Sequence, residues 1–119
     1  MPALNFKPQF VPKIQSGMKK HTIRAKRKNP IKAGDKLYLY CGLRHEGAFR
    51  ILPEPVTCSR VESIEINAET TGMVTLGGSP LTYDERERLA EADGFENWDQ
   101  MLAFWEGRLP FKGNIIHWR

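Results

Sequence analysis

The chain is short of cysteine, of long apolar runs and, in its first half, of acid. Two cysteines among 119 residues, Cys41 and Cys58, are too few for a disulfide scaffold, and their spacing fits no metal motif. Buried free thiols in a reduced, cytoplasmic setting are the expectation. No apolar run approaches the roughly 18 residues that span a bilayer, and no secretory pattern opens the chain, so neither membrane insertion nor secretion is expected. His45 and His117 lie far apart without ligand spacing, and no acidic pair stands at metal spacing. No metal or cofactor is therefore expected. Residues 1–50 hold only Asp35 and Glu46 against twelve Lys and Arg, whereas residues 51–119 hold twelve acidic and six basic residues. An anion-facing surface built by the first half explains that division better than mutual neutralisation, because the cations cluster tightly.

What is present is an ordinary globular composition, 40% hydrophobic and 27% charged, with no repeat or linker, so residues 1–119 read as one domain. Ala3–Phe6 reads as a first strand. Pro12 suits the first turn of a short helix over Val11–Ser16, ended by Gly17, with Phe10 and Ile14 as core contacts. His21–Arg24 reads as a strand, Ala25–Ala33 as a basic loop, and the alternating Lys36–Leu43 as another strand. Val56–Ile66 is a long strand whose apolar phase breaks between Val61 and Ile64, which predicts a bulge there. Met73–Leu76 is a shorter strand closed by the Gly77–Gly78 turn. Thr82 and Glu85 form a capping box for a helix running toward Ala92 and stopped by Gly94. Asn97 caps a second helix, on which Trp98, Met101, Leu102 and Trp105 make a stripe that reads as core. Gly113–Trp118 is the closing strand. Five or six strands with two or three short helices in mixed order fit an α+β fold, a small closed or half-closed β-barrel with helices at its side.

The densest group of functional side chains is Gly17 to Arg24, with Lys26, Arg27 and Lys28 following. A strand after a glycine turn places Lys20, Thr22 and Arg24 on one face, with Lys19 at the turn itself. Arginine offers a planar fork to phosphate or a base edge, and lysine a point charge. A solvated basic hairpin is the plainer account of the same residues. Tyr38 and Tyr40 share one strand face, where they either stack bases or belong to the core.

Gly17, Lys19 and Thr22-Ile23-Arg24 resemble the signature of the ASCH domain family, whose fold is a PUA-like β-barrel. The opening strand and short helix, the segment Ile31-Lys32-Ala33-Gly34-Asp35-Lys36-Leu37 and the closing Asn114-Ile115-Ile116-His117-Trp118 resemble the family in the same order. The likeness covers most of the chain and is weak from about Arg44 to Gly78. It implies a cleft that accepts RNA or a modified nucleoside. In one bacterial branch a lysine and a threonine of this segment, with an acidic residue from the later helical region, hydrolyse the acetyl amide of N4-acetylcytidine. Those roles fall here on Lys19 and Thr22, with Asp93 as the acid and Glu91 as its substitute. A desolvated lysine has a lowered pKa and can serve as a base toward the Thr22 hydroxyl.

The chain departs from that branch at Lys20 and His21, where the branch has uncharged residues, and in its heavier basic run. Those charges favour a polyanion. The first expectation is accordingly an RNA- or nucleobase-binding module using Lys20, Arg24, Lys26, Arg27, Lys28, Tyr38 and Tyr40. The alternatives are an amidohydrolase acting through Lys19, Thr22 and Asp93, and a metal-independent ribonuclease on single-stranded RNA.

Overall fold

The computed structural model describes residues 2–43, 46–67 and 74–119. It is a small mixed α+β protein whose strands form one open sheet. Strand β1 (Ala3–Phe6) is followed by a 3-10 turn (Pro8–Phe10) and helix α1 (Val11–Gln15), with Pro12 in the first turn as the sequence predicts. Then come β2 (His21–Ala25), β3 (Lys36–Cys41), β4 (Phe49–Arg50), β5 (Val56–Ile66), β6 (Val74–Leu76) and β7 (Ser79–Pro80). Helices α2 (Tyr83–Ala92) and α3 (Trp98–Trp105) precede the last strand, β8 (Phe111–Trp118). No helix among the described residues is long and apolar enough to cross a membrane.

The long strand β5 organises the sheet. It pairs antiparallel with β8 from Cys58↔Trp118 to Ile66↔Phe111, with β3 at its start and with β6 at its end. On the far side of β8 lies β2, and on the far side of β3 lies β1, the latter pairing parallel. Among the described residues no ladder joins β1 to β2, so the sheet stays open along that seam. The core is built from Leu4, Phe6, Leu37, Leu39, Ile64, Ile66 and Ile115 among others, and the aromatic residues Phe10, Phe95 and Phe104 tie the helices to it edge to face.

Several expectations shift. The bulge of β5 lies between Cys58 and Arg60 rather than between Val61 and Ile64. There the extra residue, Ser59, turns outward and leaves Ile64 and Ile66 in phase with the core. The third strand ends at Cys41, since Gly42 turns the chain with φ +73°. The two-residue strands β4 and β7 were not foreseen, because such short elements carry no periodicity. Met73, the expected start of β6, and His45 lie outside the described residues. The Thr82–Glu85 capping box is present in both directions, Glu85 N–H donating to Thr82 Oγ1 at 3.2 Å and Thr82 N–H to Glu85 Oε1 at 3.0 Å.

Candidate functional site

Lys19 sits in the turn after α1, and its side chain runs inward to the C-terminal end of α2. There its ammonium donates to the Asp93 backbone carbonyl at 2.5 Å and to Asp93 Oδ1 at 2.8 Å. The first bond satisfies a carbonyl left orphaned at the helix end, and the cation suits the negative end of the helix dipole. The ammonium also lies 4.9 Å from the Phe10 ring centroid and 5.9 Å from that of Phe6. Only 2% of Lys19 is exposed, against 6% of Asp93. Burial pushes the Lys19 pKa below its ordinary value; Asp93 opposes that shift, and the positive charges of Arg24 and Lys13 add to it.

Gly94 makes this close approach possible. Its φ of +102° ends α2, and a Cβ there would stand 2.9 Å from Phe10 Cδ1 and 3.3 Å from Lys19 Cδ. Any side chain there would press on Phe10 and on the Lys19 stem.

Thr22 and Arg24 alternate along β2 and share one face, as the pleat requires. Arg24 Nε donates to Thr22 Oγ1 at 3.1 Å, and Arg24 Nη2 donates across the seam to the carbonyl of Asn5 in β1 at 2.5 Å. The guanidinium also lies over the Phe6 ring at 4.8 Å. With its acceptor position taken by Arg24, the Thr22 hydroxyl keeps its own hydrogen to donate. No hydrogen bond joins Lys19 to Thr22 among the described residues.

These groups line one cleft of about 410 Å³, which Phe104, Trp105, Arg108 and Phe111 complete. That volume lies within the range of small-molecule sites, about 300–1,000 Å³. The structure thus brings Lys19, Thr22, Arg24 and Asp93 together. Glu91 is exposed on α2 and does not line the cleft. Lys20, Lys26, Arg27 and Lys28 are exposed, and none has a carboxylate within ion-pair distance among the described residues. Tyr38 and Tyr40 are half-buried outside the cleft, with the Arg50 guanidinium 4.8 Å and 6.0 Å from their ring centroids.

Two features were not foreseen. Trp105 belongs to the apolar stripe of α3, yet it also forms a cleft wall, packed 4.5 Å from the Phe111 ring centroid. Phe111 can fold back in this way because a Cβ on Gly113 would stand 2.6 Å from Phe111 Cζ and 2.3 Å from the Arg24 carbonyl oxygen. The second is His21. Its Nε2 is buried 3.2 Å from Asp93 Oδ1 but out of line for a hydrogen bond. Its ring packs edge to face on His117 at 5.3 Å. His117 Nε2 lies at hydrogen-bond distance from Glu62 Oε1, 2.8 Å. Burial, then the neighbouring His21 and Arg60, hold the His117 pKa below its ordinary value, with Glu62 opposing. His21 stood out in the sequence as a departure from the branch the chain resembles, but nothing there tied it to Asp93.

Among the described residues no three of His, Cys, Asp and Glu gather in a metal-holding group. Comparison with family models, with curated proteins and with solved structures finds no match for the chain.

Proposed function

We propose that the cleft receives an acylated nucleobase of the N4-acetylcytidine kind and hydrolyses its amide, with Lys19, Thr22 and Asp93 as the acting residues. One observation carries the reading: a lysine of lowered pKa, held by a buried carboxylate, shares an aromatic-lined cleft with a threonine hydroxyl. The likeness of Gly17 to Arg24 to the ASCH signature supports it. In this scheme the base is the fraction of Lys19 that its lowered pKa leaves deprotonated, and Thr22 Oγ1 attacks the amide carbon while its proton passes to that neutral amine. Lys19 then returns that proton to the departing exocyclic nitrogen of the base. Water cleaves the resulting threonyl ester and regenerates the hydroxyl, releasing acetate. Asp93 orients the Lys19 amine, and the Arg24 N–H on Thr22 Oγ1 favours the developing alkoxide.

The test is acetate release from N4-acetylcytidine at neutral pH. Wild type should turn over. Thr22→Val, which keeps the β-branched shape, should fall to background. Lys19→Arg should fail as well, because a guanidinium does not give up its proton near neutrality. Silence from the wild type, or undiminished release by Thr22→Val, would overturn the mechanism. A second reading, an RNA-binding module, is favoured by the exposed and unpaired Lys20, Lys26, Arg27 and Lys28. A single nucleoside does not need so much charge, whereas a polyanion does.

A further inference from the structure

A second cavity, of about 360 Å³, continues the first along the open seam between β1 and β2. The two share Asn5, Arg24 and Ala25, so they adjoin as compartments of one groove, with Arg24 lining both. Their linings differ in kind. The first is aromatic and holds Asp93; the second is walled by Ala3, Leu4, Ala25 and Leu43, and among the described residues its charged groups are Arg24 and Arg27 alone. We infer that this second compartment is a phosphate subsite, so that the groove takes a nucleotide, its base beside Lys19 and its phosphate between Arg24 and Arg27. The inference rests on the reading that a nucleobase occupies the first compartment.

The donor inventory supports it. A guanidinium offers five N–H donors, of which Arg24 uses one on Thr22 and one on the Asn5 carbonyl. The rest remain for a ligand. Arg27 has no hydrogen-bond or ion-pair partner among the described residues. The two guanidinium groups are close enough that Arg27 adds to the depression of the Arg24 pKa, which burial chiefly causes and Asp93 opposes. Two like charges facing one cavity, with no carboxylate among the described residues of its lining, are stabilised by an anion, and tetrahedral phosphate oxygens suit paired planar forks. Small alanine walls leave the anion room.

A terminal phosphate of a free nucleotide and a phosphodiester within RNA present the same oxygens, and calorimetry with three probes distinguishes them. The probes are cytidine, cytidine 5′-monophosphate and a dinucleoside monophosphate with cytidine at its 3′ end, titrated into wild type and Arg27→Gln. The monophosphate should bind wild type roughly tenfold more tightly than cytidine, the size expected of charge-assisted bonds. In Arg27→Gln that ratio should fall toward one; Arg27 is exposed, so folding does not depend on it. If the dinucleotide matches the monophosphate, the phosphate comes from a chain; if it binds like cytidine, from a free nucleotide. Equal affinity for cytidine and its monophosphate would overturn the subsite and leave the nucleobase reading intact, as would a ratio that survives Arg27→Gln. Absence of binding by all three would overturn both. Acetate release plays no part in this readout, so a failed hydrolase assay does not decide it.

Discussion

Lys19 and Lys28 belong to one basic segment, but they meet opposite surroundings. Lys19 is enclosed by Phe6, Phe10 and Asp93, and its charge is answered within the protein. Lys26, Arg27 and Lys28 stand in water with no carboxylate in reach among the described residues. The difference separates two uses of positive charge that composition merges. A buried charge is costly to isolate and so fixes structure and tunes a pKa, whereas an exposed one contributes little to stability and acts on partners.

The largest expected effect comes from breaking the buried side of this contrast. Asp93→Ala leaves the Lys19 ammonium enclosed without its counter-charge and should cost about 3–5 kcal/mol of stability, read from the urea midpoint. Asp93→Asn keeps an oxygen in place and should cost less. A loss no larger than that of an ordinary surface substitution would mean that the pair carries little of the fold.

Acid should act next, through His117. Its pKa in the folded protein lies below the ordinary 6.5, so between the two values the unfolded chain binds more protons than the folded one. The contribution is fully present above pH 6.5 and is lost as pH falls through the window below it. Lys19, lowered from 10.5, has the same sign in the alkaline range, so stability should rise with pH toward that value. Denaturation midpoints across pH check both, and His117→Gln should flatten the acid limb alone.

The smallest stability effect belongs to the exposed run. Replacing Lys26, Arg27 and Lys28 together by alanine should move stability by no more than about 0.5 kcal/mol. In the same variant the slope of log affinity against log salt for single-stranded RNA should flatten by about 2, at roughly 0.7 per lost phosphate contact. An unchanged slope, or no RNA binding by wild type at low salt, would remove the RNA-binding reading.

The contrast was only half legible in the sequence. Lys19 and Thr22 could be named through the resemblance of Gly17 to Arg24 to the ASCH signature, and Asp93 through that resemblance together with the helix stop before Gly94. Which of Asp93 and Glu91 stands beside Lys19 depends on the helix register, and the residue whose carbonyl and carboxylate Lys19 bonds is Asp93. His21 was invisible as a neighbour of Asp93, since pairing between distant segments leaves no mark in periodicity. Trp105 was read as core and is also cleft wall, for one stripe on α3 serves both. Whether the strands close into a barrel depends on β1 meeting β2, a contact between edges that no local pattern reports.

That open edge has a mechanical meaning. Every ladder of the sheet radiates from β5, directly or through β3, β8 and β6, and among the described residues none crosses from β1 to β2. Among the described residues, the one hydrogen bond spanning the gap is a side-chain bond, from Arg24 to the Asn5 carbonyl. A change in the width of the groove would therefore break no rung of backbone hydrogen bonds, and the hydrogen bond it would strain is the one from Arg24 to Asn5.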